Sequence, residues 1–391
     1  MSINLVRMRF AAAAAKIEVT PGTDAIAGTP AAADWIAGDC QVTFDPTVSE
    51  NPELTGSLDK APGIVGGLKP NLRLRIPLRG SGTPGTPPEF GKLLRACTFA
   101  ETITAAAVGA PTALGAAGHT TTSITLPAAP FAATAQIYRG MPLALTGVVA
   151  DITGIIDYTA ARVAAIGSTL SGVPAATTNA QIPINVLYAP TSDETVYKTA
   201  TLYFFADGMR WRFTGGVGTW GLDLTSGEIG FVVIELRAQF VDVTATALPA
   251  SAAGVARPTP PRWVGGRSQL NRLSSQIKAL SLQAGVRVVL PDDPEAAEGY
   301  GPGVPIERDS SGTLDPYMIT TTQVALMDNF RTGVNMPLLA IIGATAGNRF
   351  LVTAPAARAV AMNPGAREGL ATNQISLQFD GADADLFLCQ F

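Results

Sequence analysis

Residues 199–243, TATLYFFADGMRWRFTGGVGTWGLDLTSGEIGFVVIELRAQFVDV, constrain this chain more than any other stretch. Leu202, Phe204 and Ala206 alternate before Asp207-Gly208, and Met209, Trp211 and Phe213 alternate after it. Asp-Gly between two alternating runs is the strongest short-range signal for a β-hairpin, because both residues tolerate the positive φ of a type I′ turn. Ser226-Gly227 marks a second turn, and 229–243 supplies another long strand. The stretch predicts a core meander of roughly four antiparallel strands. It carries no evident reactive grouping.

A sheet of this size is one part of a chain of 391 residues, long enough for two or three domains. Only 15% of the residues are charged against 47% hydrophobic, with 40 Gly and 29 Pro, a turn-rich β composition far from that of disordered chains. So little charge implies a surface largely covered by further copies of the chain. The net charge of −4 excludes a basic nucleic-acid binder. Three widely spaced cysteines, Cys40, Cys97 and Cys389, read as buried thiols of a protein assembled in a reducing cytosol, not as a disulfide framework. The opening MSINLVRMRFAAAAAK has only five alanines as its apolar part, too weak for a signal-peptide core. No stretch approaches the roughly 20 apolar residues of a membrane helix, so a soluble protein with no membrane partner is expected.

Residues 1–39 read as an extended arm, 41–44 as a short strand and 45–70 as a long loop, the kind that usually carries function. At 72–79, Leu72, Leu74, Ile76 and Leu78 alternate with Arg73, Arg75 and Arg79, which predicts a half-buried strand, with Pro77 placing it at an edge or bulge. A helix follows, with Thr86 as N-cap, Pro87 in the first position and Glu89 closing a capping box, and with Phe90, Leu93, Leu94 and Cys97 as its apolar stripe. From 108 to 183 the texture becomes Ala/Thr/Gly-rich, with strands expected at 121–126, 143–146 and 152–158. This predicts an inserted β module dividing a first domain of 1–107 and 184–245. A proline-punctuated linker at 246–269 leads to a second domain at 270–391.

The second domain repeats the order of the first. A strand is expected at 277–290, a loop at 291–313, a strand at 317–325 and a short helix at 326–332. Strands at 336–342, 349–353, 357–362 and 374–379 complete a second meander, and the run at 375–379 echoes 234–240. Strand, loop, strand, helix and meander twice over point to an internal duplication.

No motif supplies chemistry. Gly216, Gly218 and Gly221 fit G-x-G-x-x-G, but a strand pattern follows where a dinucleotide site needs a helix, so they read as turn glycines. His119, the only histidine, reads as a solvated loop residue, which leaves no multi-histidine metal site or Ser-His-Asp triad. Asp292, Asp293, Glu295, Glu298, Glu307 and Asp309 lack the alternating spacing of a calcium loop. The arginines at 72–79 read as a solvent- or subunit-facing row opposite acidic partners. Catalytic residues, cofactors and metals are therefore expected to be absent.

Three stretches carry a resemblance. The run 80–102, GSGTPGTPPEFGKLLRACTFAET, the run 16–24, KIEVTPGTD, and 202–215 with its Asp-Gly hairpin resemble, in order, stretches typical of tail tube proteins of long, non-contractile-tailed bacteriophages. The resemblance covers most of 16–243. It implies a mainly β chain of two tandem tail-tube β-sandwich domains, each with a short flanking helix. Such subunits join sheets edge to edge into rings whose continuous β-barrel lines a channel, and the rings stack into a tube. Six single-domain copies make a ring in such families, so two domains per chain imply a trimer with pseudo-sixfold symmetry. The implied partners are the chain itself, a tape measure protein inside the tube, tail terminator and distal tail proteins, and DNA in transit without specific binding. The implied location is the phage tail of the virion, assembled in the host cytoplasm. The long loop and N-terminal arm would be ring-to-ring contacts. Residues 138–147 and 153–158 resemble a small β module of phage structural proteins, expected on the tube's exterior.

A channel wall should hold phosphate weakly, which favours acidic or neutral side chains. Asp223, Glu228 and Glu235 are the lumen-facing candidates. The rivals are the tube protein of a contractile injection system, which a neighbouring sheath gene would reveal, and a β-rich enzyme of a phage spike, which would need a carboxylate pair or a usable histidine in a cleft.

Overall fold

The computed structural model describes residues 7–54, 56–115, 118–252 and 255–391. It is mainly β, with two α-helices among the described residues. Residues 1–6 lie outside them. The alanine run is not part of an arm. It forms strand β1 (Ala11–Ile17), paired along its length with 200–206 and, at Ala13 and Ala14, with the short β2 (Trp35–Ile36). Ala13 and Ala15 face the main core, while Ala14 faces a small cluster of Trp35, Tyr203 and Phe205. A strand covered on both faces has room for methyl groups and little more.

Strands β3 (Asp39–Ser49) and β4 (Ile64–Pro77) form one long hairpin, so most of the expected loop at 45–70 is strand and only 50–63 connects the two. Leu72, Leu74, Ile76 and Leu78 are fully buried, as their alternation demands. Pro77 marks no edge. It ends β4 two residues beyond the last partner in β3, the pair Asp39–Arg75. Helix α1 (Gly91–Arg95) is shorter than expected and has no side-chain cap. Glu89 is engaged elsewhere: its carboxylate receives Arg79 Nη2 at 2.6 Å and Arg257 Nε at 2.7 Å. Phe90, Leu93, Leu94 and Cys97 are buried as one stripe.

Strand β5 (Phe99–Thr104) leads into a separate six-stranded sheet. Its members are β6 (Val108–Ala113), β7 (Ser123–Thr125), β8 (Pro142–Thr146), β9 (Asp151–Tyr158), β10 (Val163–Ile166) and β11 (Asn179–Ile182), in the order β6-β11-β8-β9-β10-β7. Strand β12 (Asn185–Pro190) returns antiparallel to β5. Then come β13 (Ala200–Ala206), β14 (Met209–Thr225) and β15 (Phe231–Ala245). Asp207 and Gly208 have φ of 37° and 93°, the backbone that an Asp-Gly hairpin requires. The meander has three strands here instead of four, because β14 runs unbroken through Gly216, Gly218 and Gly221. These are strand glycines, not turn glycines. A Cβ on Gly218 would lie 1.8 Å from the Glu235 carbonyl oxygen, so only glycine lets β14 and β15 approach there.

The segment after β15 packs against the sheet through buried Trp263, whose backbone N–H donates to the Glu228 carbonyl at 2.8 Å. The second half contains β16 (Arg267–Leu270), β17 (Leu273–Ser274), β18 (Ile277–Gln283), β19 (Val286–Val289), β20 (Val304–Arg308) and β21 (Ser311–Pro316). It continues with α2 (Thr320–Thr332), β22 (Met336–Ile342), β23 (Phe350–Arg367), β24 (Leu370–Phe379) and β25 (Phe387–Gln390). The strand expected at 277–290 is broken by Gly285 at φ 64°, and the loop expected at 291–313 contains β20. Residues 320–325, expected as strand, are helix. Strands expected at 349–353 and 357–362 are one continuous β23.

Pairing repeats between the halves. The antiparallel order β3·β4·β15·β14·β13·β1·β2 in the first matches β18·β21·β24·β23·β22·β16·β17 in the second, ladder for ladder. Each half has its helix after the second of these hairpin strands. The halves meet where β14 pairs with β18, and where β25 lies between β12 and β23. One hydrophobic core runs through both. Strand β22 is buried on both faces: Leu338, Ala340 and Ile342 enter the main core, while Leu339 and Ile341 pack with Leu351, Phe387 and Cys389 against the six-stranded sheet. The three cysteines are buried free thiols. Burial pushes the Cys40 thiol up to about 12, with the Asp39 carboxylate adding to the rise.

Candidate functional site

Eight strands, β3·β4·β15·β14·β18·β21·β24·β23, form one continuous antiparallel wall across both halves. Residues directly opposite in antiparallel strands share a face. The row Gln41–Arg73–Glu235–Thr219 therefore lies on the same side as the row Asp223–Ser281–Thr313–Ser376. Alternate residues such as Leu72, Leu236, Leu222 and Leu282 point the other way into the main core.

This open face is polar and almost balanced in charge. Its first half carries Arg73, Arg75 and Arg237 against Asp39, Asp223 and Glu235, while the second half is mostly Ser, Thr and Gln. Arg73 Nε lies 3.2 Å from Glu235, and the Arg75 guanidinium lies 3.5 Å over the Phe231 ring. Arg358 pairs with Asp380 and Arg367 with Asp315. The Arg73–Glu235 pair is about half exposed and contributes little to stability, about 0–1 kcal/mol. Its consequence is on the field: an arginine matched by a carboxylate attracts phosphate far less than a bare one.

Of the three acidic candidates, Asp223 and Glu235 stand on the open face. Asp223 accepts a hydrogen bond from Ser281 Oγ at 2.7 Å, across the seam between the halves. Glu228 is not beside them. It sits in the turn between β14 and β15, exposed, its backbone tied to Thr225 and Trp263. Of the arginine row, Arg73 meets an acidic partner on the face, whereas Arg79 lies beyond the strand and turns inward to Glu89.

His119 is a half-buried loop residue, not a solvated one: its Nε2 lies 2.9 Å from the Gly115 carbonyl oxygen and its Nδ1 accepts the Thr125 N–H at 3.4 Å. The acidic loop around 292–309 binds its own backbone and neighbours: Asp293 accepts from Glu295 N–H, and Glu298 from Leu68 N–H. Among the described residues no group of three or more His, Cys, Asp or Glu is arranged to hold a metal ion, and no helix is long and apolar enough to cross a membrane.

The wall ends in two strands with an unpaired side among the described residues. β3 pairs only with β4. The carboxy-terminal part of β23, residues 361–367, pairs only with β24. Neither edge is identified from the sequence, though the second carries a signal. Its signal is Pro364, since proline inside a strand belongs where no ladder bond needs its N–H. Beside this edge, α2 buries Leu326 but leaves Val324 66% and Met327 40% exposed. At the tip of the β3–β4 hairpin, Val48, Ile64 and Val65 are also exposed. No protein-family model and no curated protein matches the chain.

Proposed function

We propose that this chain is a structural tail tube protein of a long, non-contractile-tailed bacteriophage, polymerising as stacked rings around a channel for genome delivery. The observation that carries this function is the eight-stranded wall, with an apolar core behind it, a near-neutral polar face in front and an unpaired strand at each end. Unpaired edges of that length invite aggregation unless another chain completes them. In this account each half is one tail-tube β-sandwich, and three chains close a ring of pseudo-sixfold symmetry. The open face lines the lumen, so DNA and a tape measure protein pass along a surface of matched charges and neutral polar groups. The six-stranded sheet packs on the side of the core remote from the open face, which supports an exterior position for it. The exposed tip of the β3–β4 hairpin supplies contacts from ring to ring, and terminator and distal tail proteins cap the tube.

Replacing Asp223 and Glu235, the two candidates on the open face, together by lysine tests the lumen assignment. Each Lys⁺–phosphate contact along the wall adds electrostatic attraction that depends on salt. The double variant is expected to form normal tubes and to slow DNA ejection about tenfold or more at low salt, with partial recovery as salt rises. Normal ejection through intact variant tubes would contradict the assignment.

A further inference from the structure

The chain already contains one completed junction between its two repeats, and the same two surfaces recur unsatisfied at its ends. In the completed junction, β14 of the first repeat pairs with β18 of the second through Gly221–Gln283, Leu222–Leu282, Asp223–Ser281, Leu224–Leu280 and Thr225–Ala279. In the repeat, β23 is the counterpart of β14, and β3 is the counterpart of β18. The ladders fix the correspondence residue by residue. Met362 opposes Ile375 as Trp220 opposes Ile234, and Cys40 opposes Leu74 as Leu280 opposes Leu314.

We infer that β23 of one copy takes β3 of a second copy of this chain in the register of the internal junction: Asn363–Thr43, Pro364–Val42, Gly365–Gln41, Ala366–Cys40 and Arg367–Asp39. The second copy as occupant rests on the ring assembly proposed above; the register rests on the repeat alone.

Backbone direction agrees at both edges. Leu78 N–H bonds to Gly230, so even-numbered residues of β4 face β15 and odd-numbered ones face β3. Arg73 and Arg75 therefore bond to Gln41 and Asp39, which leaves the N–H and C=O of Cys40 and Val42 on the open side. Phe379 N–H bonds to Ser310, so the odd residues of β24 face β21 and its even residues face β23. That leaves Met362, Pro364 and Ala366 directed outward on β23. The two open rows match, donor to acceptor, except at Pro364, which accepts from Val42 and donates nothing. A proline at this position weakens unguided edge pairing at no cost to the isolated chain.

Side chains agree as well. Leu222 and Leu224 are buried at the internal junction, whereas their counterparts Pro364 and Ala366 are exposed. Helix α1 is covered in the chain, with Leu93 and Leu94 buried and Phe90, just before it, tilted 6.2 Å from Phe350 of the other repeat. Its counterpart α2 still shows Val324 and Met327 to solvent. Arg367, which pairs with Asp315 of its own chain, would stand opposite Asp39, so the register brings opposite signs together.

Cysteine pairs test this in the full-length chain. Gly365 and Gln41 would form a non-hydrogen-bonded pair, with Cα atoms about 4.5 Å apart, inside the disulfide range of about 4.4–6.8 Å. A Cβ at Gly365 meets only Thr372 Oγ1 at 3.3 Å. The variants are Gly365→Cys with Gln41→Cys, Asn363→Cys with Thr43→Cys, each single substitution, and the off-register pair Asn363→Cys with Gln41→Cys. Asp223→Cys with Ser281→Cys, the internal equivalent of the first pair, reports that oxidation and folding are in order. After mild oxidation, the two in-register pairs are expected to give covalent multimers on a denaturing, non-reducing gel. The singles and the off-register pair should give at least tenfold less. Multimers only from the off-register pair, or none from either in-register pair while micrographs show tubes, would overturn the register and leave the tube standing. In-register multimers without any ring or tube would uphold the junction and count against the tube.

Discussion

Replacing Ala366 by proline is expected to abolish assembly while leaving the chain folded. Ala366 is exposed, and its N–H points away from β24, so the substitution removes no bond within the chain. With the ladder to β24 intact, the folded chain should keep most of its stability. In the junction between copies the same N–H donates to the Cys40 carbonyl of the next chain. Its loss leaves a covered acceptor unsatisfied at a cost of about 1–3 kcal/mol, roughly 5- to 150-fold per junction. The new ring also presses against the incoming strand, beside a Pro364 that already donates nothing. Sedimentation at increasing concentration should find the variant monomeric where the wild-type chain is polymeric, with superimposable thermal melts under non-assembling conditions. Wild-type polymerisation by this variant would exclude β23 as the joining edge.

Trp220→Ala is expected to have the largest effect on the fold itself. Trp220 is fully buried in the main core, edge-on to Phe99 with ring centroids 5.2 Å apart. Its carbonyl accepts the Ala284 N–H at 2.8 Å, at the point where the second half joins the first. Truncating a buried indole costs about 3–5 kcal/mol, a large share of the roughly 5–15 kcal/mol that holds a typical protein folded. The indole N–H meets no acceptor, so Trp220→Phe keeps most of the packing and should cost far less. Denaturant titration that finds the two variants equally stable would show that the wall does not depend on this residue.

The parts of the fold that were legible are those whose cause is local. Asp207-Gly208 and the alternation around it specify a hairpin within a dozen residues, and Leu72–Leu78 alternate cleanly because one face alone is buried. Met336–Ile342 is a strand covered on both sides, and its unbroken apolar run says so. The illegible parts depend on distant partners. Alanine is a poor strand former, and β1 exists because 200–206 pairs with it. Thr320, Thr321, Thr322 and Val324 read as strand by their branching, yet they fold as helix on the edge of β23, where tertiary placement outweighs a weak propensity. Glycines 216, 218 and 221 read as turns because their need is a close approach by Ala200, Glu235 and Gln283 respectively, each on another strand.

The candidate surface divides in the same way. Alternation alone puts Asp223 and Glu235 on the polar side of their strands, but it could not exclude Glu228, which leaves the sheet in a turn. The matching of Asp223 by Ser281 and of Glu235 by Arg73 appears only once the ladders are known. A free edge has no periodicity at all. Pro364 was its one mark, and it acquires meaning from the second repeat having a first to be compared with.

The most direct test is electron cryomicroscopy of the purified full-length chain under polymerising conditions. The account predicts stacked rings of three chains, each chain contributing its eight wall strands to a closed barrel, with Asp223 and Glu235 facing the channel and the six-stranded sheet outside. Rings built from six of these chains, a barrel lined by another face, or a chain that never forms rings would contradict it.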